Sequence, residues 1–248
     1  MSTTVDDTKT SAGWSVRKRP AAERGRAEHG WLHARFTFSF ADYFDPDQMG
    51  FRSLRVMNND IIEAGGGFPT HPHKDAEIFT YVISGELEHR DSMGNGSIIT
   101  AGNLQYMSAG SGVRHSEFNP SKDTPTELYQ VWLKPNQSGG EPLYAEKKLG
   151  DRAPNNALTL LLAGQPKGDA TVFRQDAEVS FGRLDAGAEL AAAADNNLPH
   201  GWVQVIEGEV EVLGQTLGRA DGLAISDHPE AFAIRAARNS KFLFFRLS

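Results

Sequence analysis

Short alternating segments, bounded by glycine-rich turns, dominate the first half of the chain. From 35 to 40 apolar and polar residues alternate, which puts Phe36, Phe38 and Phe40 on one face of a predicted strand. Further β-branched or aromatic runs over 51–57, 77–83, 85–89, 97–100, 104–107 and 128–133 predict six more strands. Ala64-Gly65-Gly66-Gly67, Met93-Gly94-Asn95-Gly96 and Ser108-Ala109-Gly110-Ser111-Gly112 punctuate them as turns. So many short strands with such spacing predict a closed or sandwiched antiparallel barrel.

The pattern then repeats. Gly85-Glu86-Leu87-Glu88 returns as Gly208-Glu209-Val210-Glu211, each after an apolar strand, and Asp221-Gly222-Leu223-Ala224-Ile225 echoes Ala101-Gly102-Asn103-Leu104-Gln105. Duplication predicts an all-β chain of two barrels in tandem. The expected division is a disordered tail at 1–12, a first barrel over 13–135, a linker over 136–142 at the Pro135-Asn-Gln-Ser-Gly-Gly140 stretch, and a second barrel over 143–248.

Composition narrows the class of function. A net charge of −7 argues against a nucleic-acid surface, and no apolar run is long enough for a membrane span. The Ser-, Thr- and Asp-rich start lacks the apolar stretch of a signal peptide, so a cytoplasmic location is expected. The absence of cysteine removes both disulfides and thiolate ligands. The basic run Arg17-Lys18-Arg19, diluted by Glu23 and Glu28, reads as a solvated face.

Two histidine pairs carry the chemistry. His71-Pro72-His73 is followed, 42 residues after His73, by His115-Ser116-Glu117. Residues two apart on a strand share a face, so two neighbouring strands would gather three imidazoles and one carboxylate around a point. That donor set suits a divalent first-row transition metal. It leaves the ion one net positive charge and one or two open positions, which favours an anionic substrate oxygen. These donors do not select among iron(II), nickel, cobalt, manganese, copper and zinc, all of which accept histidine and carboxylate; iron(II) is taken as the first expectation.

In the second half the ligands are missing. Counting back from Gly208 as His71 and His73 count back from Gly85 lands on Ala194 and Asn196, and only His200 appears, at the position of Glu77. The second barrel is therefore expected to be structural, with His200 and His228-Pro229-Glu230 in surface loops. His29, His33 and His89 read as isolated, solvated or locally bonded side chains. The aromatic stripe reads as mostly core, with Phe51, Met57, Phe68 and Phe79 as further candidates for an apolar pocket beside the metal.

Gly65, His71, His73, Glu77 and Gly85 match the first motif of the cupin barrel in spacing, and Gly102 through Gly110, Gly112, His115 and Asn119 resemble the second. The second match departs by Ser108, where proline is usual, and by two extra residues before the histidine. The words HPHKDAEIFTYV, GELEHRDSMGNG, MSAGSGVRHSEFNP and LYQVWLKP, with HGWLHARFTFSFADYFDP upstream, resemble the pirins, a two-cupin family. Cupins generally ligate through the carboxylate that corresponds to Glu77, whereas the pirin resemblance implies Glu117; face parity with His115 also favours Glu117. Glu77 then becomes a group that orients water or a histidine N–H. The bacterial pirins imply a quercetin 2,3-dioxygenase, a monomer that takes a planar flavonol and dioxygen and releases carbon monoxide. Either Glu117 or Glu77 would accept the substrate proton. The same resemblance implies an alternative, a metal-sensing binding partner of regulatory proteins, and a metal-dependent isomerase or hydrolase on the same scaffold stays open.

Overall fold

The computed structural model describes residues 8–9, 13–149 and 153–248. Apart from one 3₁₀ turn at Ala21–Glu23, the regular structure of the described residues is β. They fall into two compact units. One holds 24–149 together with Phe173–Gln175, and the other holds the residues before Arg24, 153–172 and 176–248.

Each unit pairs a large, mainly antiparallel sheet with a four-stranded one. In the first unit the large sheet runs Leu143–Lys147, Leu104–Ser108, Glu77–Ser84, Thr126–Leu133, Leu54–Ile62, Leu32–Phe36, Gly25–Glu28. Its smaller sheet runs Gly67–His73, Val113–Phe118, Glu86–Asp91, Gly96–Thr100. The second unit follows the same plan, with Ser15–Arg19, Gly222–Ser226, His200–Glu207, Ser240–Leu247, Ala177–Leu184 and Ala157–Ala163 central to its large sheet. Its smaller sheet is Glu189–Ala192, Phe232–Ala236, Glu209–Val212, Gln215–Gly218.

One turn shows why the repeated sequence gives a repeated fold. Gly85 and Gly208 each follow a long central strand with φ of 73° and 81°, a conformation that glycine adopts without strain. A Cβ on Gly85 would lie 2.8 Å from the Pro125 carbonyl oxygen, and one on Gly208 would lie 2.3 Å from that of Asn239. A hydroxyl locks each turn in the same way. The Glu86 N–H donates to Thr126 Oγ1, which donates to the Glu86 carbonyl at 2.7 Å; the Glu209 N–H donates to Ser240 Oγ, which donates back at 3.1 Å.

The boundaries differ from those expected. Ser15–Arg19 adds to the second unit's sheet by pairing with Gly222–Ser226, although it precedes the first barrel in sequence. Leu143–Lys147, expected in the second barrel, pairs with Leu104–Ser108 of the first. The predicted linker is a loop of the first unit: the Gly139 N–H donates to Asp75 at 2.5 Å, and the Ser111 N–H donates to the Gly140 carbonyl at 2.8 Å. Polar, glycine-rich composition marks a turn without saying which strands it joins. The predicted tail at 1–12 lies mostly outside the described residues, but Thr8–Lys9 pairs with Ser15 and Val16.

Candidate metal centre

The first unit's small sheet brings the two histidine pairs together. His115 stands directly opposite His71 in the pairing of Val113–Phe118 with Gly67–His73, and Val113 stands opposite His73. The next registered pair is Glu117 with Phe68, so three steps on one strand face two on the other. Such a bulge bends the strand and re-aims its side chains. The rings of His71, His73 and His115 lie 4.5–4.8 Å apart between centroids, and a nitrogen from each lies within 4.8 Å of the others.

Local bonding fixes what each imidazole offers. His71 Nδ1 lies 2.8 Å from the Pro69 carbonyl oxygen, which can only accept, so Nδ1 carries the proton and Nε2 keeps its lone pair. His115 is 1% exposed, and neither ring nitrogen has a hydrogen-bond partner. Burial lowers its pKa to about 3, with the neighbouring His71 and His89 adding to the effect. His73, with its ring edge-to-face on Trp132, is lowered to about 4 by burial and then by His115 and His71. A neutral, buried imidazole without partners, as at His115, is what a cation needs and what a protein core does not tolerate otherwise.

Glu117 is buried on the same face as His115 and is held from the opposite sheet. Gln105 Nε2 donates to Oε1 at 2.7 Å, Gln130 Nε2 donates to Oε2 at 2.8 Å, and Thr80 Oγ1 reaches Oε1 at 3.4 Å. These donors form one cross-strand row, because Gln105 and Gln130 both pair with Thr80, and Gln130 also pairs with Asn58. Trp132 Nε1 donates to Gln130 Oε1 at 3.2 Å, which orients the amide toward Glu117. The carboxylate also joins His115 and His89 as a second group with oxygen and nitrogen atoms within 4.8 Å of one another.

Glu77 is not brought to the histidines. It lies three residues before Thr80, on the other face of its strand. Its carboxylate accepts from Tyr106 Oη, from Ser108 Oγ at 2.6 Å and from the Arg174 N–H at 3.1 Å. Ser108, the departure from the usual motif, thus serves a buried carboxylate and also accepts from the Arg174 guanidinium at 3.0 Å. The motif spacing located Glu77 on its strand but could not tell which face it occupies.

His89 corrects the sequence reading in another way. It is 0% exposed, stacks on Tyr144 and lies 5.3 Å from His115 between ring centroids. Its Nε2 lies 3.2 Å from Asp91, a local bond as expected, but the side chain is core and not solvated. His200 is also buried, its Nδ1 accepting from the Asp227 N–H at 3.1 Å, whereas His228 lies half-buried in a loop with its ring against Trp14. Among the described residues both candidate ligand groupings lie in the first unit.

A cavity of about 1000 Å³ opens beside the cluster. Trp31, Phe36, Phe40, Phe68 and Trp132 supply its apolar wall, with His71, His73, Glu117 and Gln130 at its polar end. Of the aromatic stripe, Phe36 and Phe40 line it, while Phe38, Phe51, Met57 and Phe79 are packed in the core. Sequence reasoning missed Thr80, Gln105, Gln130, Asn58 and Asp60. The available signal was a polar residue inside an otherwise apolar strand, as in Leu104-Gln105-Tyr106-Met107.

Comparison with known proteins agrees with this architecture. Residues 17–133 match the family model described as Pirin, and 160–247 match that of the quercetinase C-terminal cupin domain. The chain is 45% identical over 231 residues to quercetin 2,3-dioxygenase of Escherichia coli K12, covering 92% of this chain and 97% of that protein. It is 41% identical over 214 residues to a pirin-like protein of Caulobacter vibrioides, covering 86% and 91%. Among solved structures, Escherichia coli YhhW superposes with a TM-score of 0.89 at 42% identity, covering 94% of this chain and 97% of that one. The nickel(II) complex of the same bacterial pirin gives 0.88 at 43% identity, covering 94% and 98%. With two cupin barrels and relatives matched over nearly its whole length, the chain belongs to the pirin family.

Proposed function

We propose that this protein is a metal-dependent dioxygenase that opens a flavonol such as quercetin with release of carbon monoxide. His71, His73, His115 and Glu117 would hold one divalent metal, iron(II) by our assignment. The observation that carries this reading is His115, buried with both ring nitrogens unpartnered beside His71 and His73, which line the cavity. The names of the Escherichia coli relatives support the substrate class and a metal. The resemblance to bacterial pirins also implies a monomer.

A divalent ion held there supplies Lewis acidity toward an anionic substrate oxygen and electron transfer involving dioxygen. The chain's own residues supply the rest. The facing aromatic side chains hold a planar ring system and exclude water from the polar end. Gln105 and Gln130 fix the Glu117 carboxylate, so its position does not depend on the metal. Of the two glutamates read from the sequence as proton acceptors, Glu117 alone lines the cavity. Metal analysis combined with oxygen uptake on quercetin, using protein loaded in turn with iron(II), nickel, cobalt and manganese, tests the reading. Oxygen consumption with carbon monoxide release supports it. Bound metal without oxygen uptake overturns the reaction and favours the regulatory alternative, and failure to bind any metal overturns the centre itself.

A further inference from the structure

Asp60 is a buried carboxyl that neither the metal centre nor the fold accounts for. It sits on Leu54–Ile62, two residues beyond Asn58, so both point to the same face, and both line the aromatic cavity with Glu117. Only 3% of it is exposed, and its Oδ1 has no hydrogen-bond partner. A carboxyl oxygen in this state costs the fold free energy unless a ligand satisfies it. Glu117 differs in this respect, since its two oxygens already accept from Gln105, Gln130 and Thr80.

We propose that Asp60 is a substrate-contacting residue whose free oxygen accepts the hydrogen bond of a phenolic hydroxyl and takes its proton. In that step the ligand O–H bond breaks, the proton passes to Asp60 Oδ1, and the electron pair stays on the ligand oxygen. The inference rests on the dioxygenase reading for the identity of the phenol, but not for the contact. In the metal-free protein burial and the nearby Glu117 raise the Asp60 pKa to about 7 against the opposing charge of Arg24.

The test is a cycle of ligand against side chain, on nickel-loaded protein under nitrogen, read by quenching of Trp31 and Trp132. Wild type, Asp60→Asn and Asp60→Leu are titrated with a flavonol and with flavone, which has the same rings but no hydroxyl. The expected result is that Asp60→Leu weakens flavonol binding about tenfold or more and leaves flavone binding unchanged. Asp60→Asn, which keeps an acceptor, falls between. Equal loss of both ligands marks a structural role and overturns the proposal, as does no loss of either. Failure of wild type to bind either ligand also overturns it. Flavonol binding that depends on Asp60, in protein that consumes no oxygen, overturns the proposed reaction while leaving the contact standing.

Discussion

In the second barrel, Glu189–Ala192 turns Leu190 and Ala192 into a core shared with Ile234 and Ala236 of the facing strand. In the first, the strand at the same place in the sheet order presents His71 and His73 to His115. Val205, Val210, Val212, Leu217 and Phe242 complete the second core, so that interior is filled. The first is hollow on one side and polar at the end of the hollow. Filling a barrel requires apolar side chains of about the right volume. Hollowing one requires a partner for every polar group that the hollow desolvates, and the first barrel leaves several unmet. Asn58 Oδ1, Asp60 Oδ1, Gln105 Oε1 and both nitrogens of His115 are buried without hydrogen bonds. Local conflict with the rules of core packing, concentrated in one of two similar barrels, is the physical signature of a site.

The comparison breaks most sharply at the ligands. His115→Ala should lower metal affinity by more than about 100-fold, beyond what loss of a supporting residue costs, whereas His200→Ala should leave metal content unchanged. Metal analysis after dialysis against a weak chelator checks both. Retained metal in the His115 variant would move the centre elsewhere.

Stability should respond in the opposite sense. Ile234→Ala opens a void in a filled core and should cost about 2–5 kcal/mol in urea unfolding. Phe40→Ala enlarges a cavity already present, so fewer packed neighbours are lost and the cost should be smaller. Equal costs would mean that the first barrel's cavity closes in solution. Between these extremes lies Gln105→Leu, which removes one donor from Glu117 and keeps the strand apolar. It should weaken metal binding about tenfold, with little change in the unfolding midpoint.

Much of this comparison was legible in the sequence, and what was not has a physical explanation. The histidine pairs were found because period-two spacing states which side chains share a strand face, and the glycines at 85 and 208 marked equivalent turns. Spacing alone placed Glu77 with the histidines, because a motif fixes distance along the chain but not the face of a strand. Counting back from Gly208 landed on Ala194 and Asn196, which follow the strand Glu189–Ala192 and lie in its connecting loop, because a change in loop length shifts the register of a count. The row Gln105–Thr80–Gln130–Asn58 comes from four strands distant in sequence, and only the register aligns it. The placing of Ser15–Arg19 in the second unit's sheet and of Leu143–Lys147 in the first unit's leaves no mark in composition at all.

The smallest expected effect separates the first barrel's two kinds of buried titratable group by the sign of their pH dependence. His73 and His115 have folded values near 4 and 3 against an ordinary 6.5, so the unfolded chain takes up protons that the fold refuses. Their contribution to metal-free stability is therefore lost as pH falls from about 6.5 toward 4. Asp60 runs the other way. Its folded value near 7 against an ordinary 3.8 means that the unfolded chain releases a proton that the fold retains, so stability is lost as pH rises from about 4 to 7. Asp60→Asn should abolish the second limb alone, stabilising metal-free protein by about 1–3 kcal/mol at pH 8 and by much less at pH 4. The acid limb should survive in that variant, because no histidine has changed. It should steepen when metal is added, since protons then compete with the ion for the same nitrogen lone pairs. Urea midpoints at the two pH values, with and without metal, check all three statements. A variant destabilised at both would show instead that Asp60 is charged in the fold throughout, with its charge satisfied by Arg24.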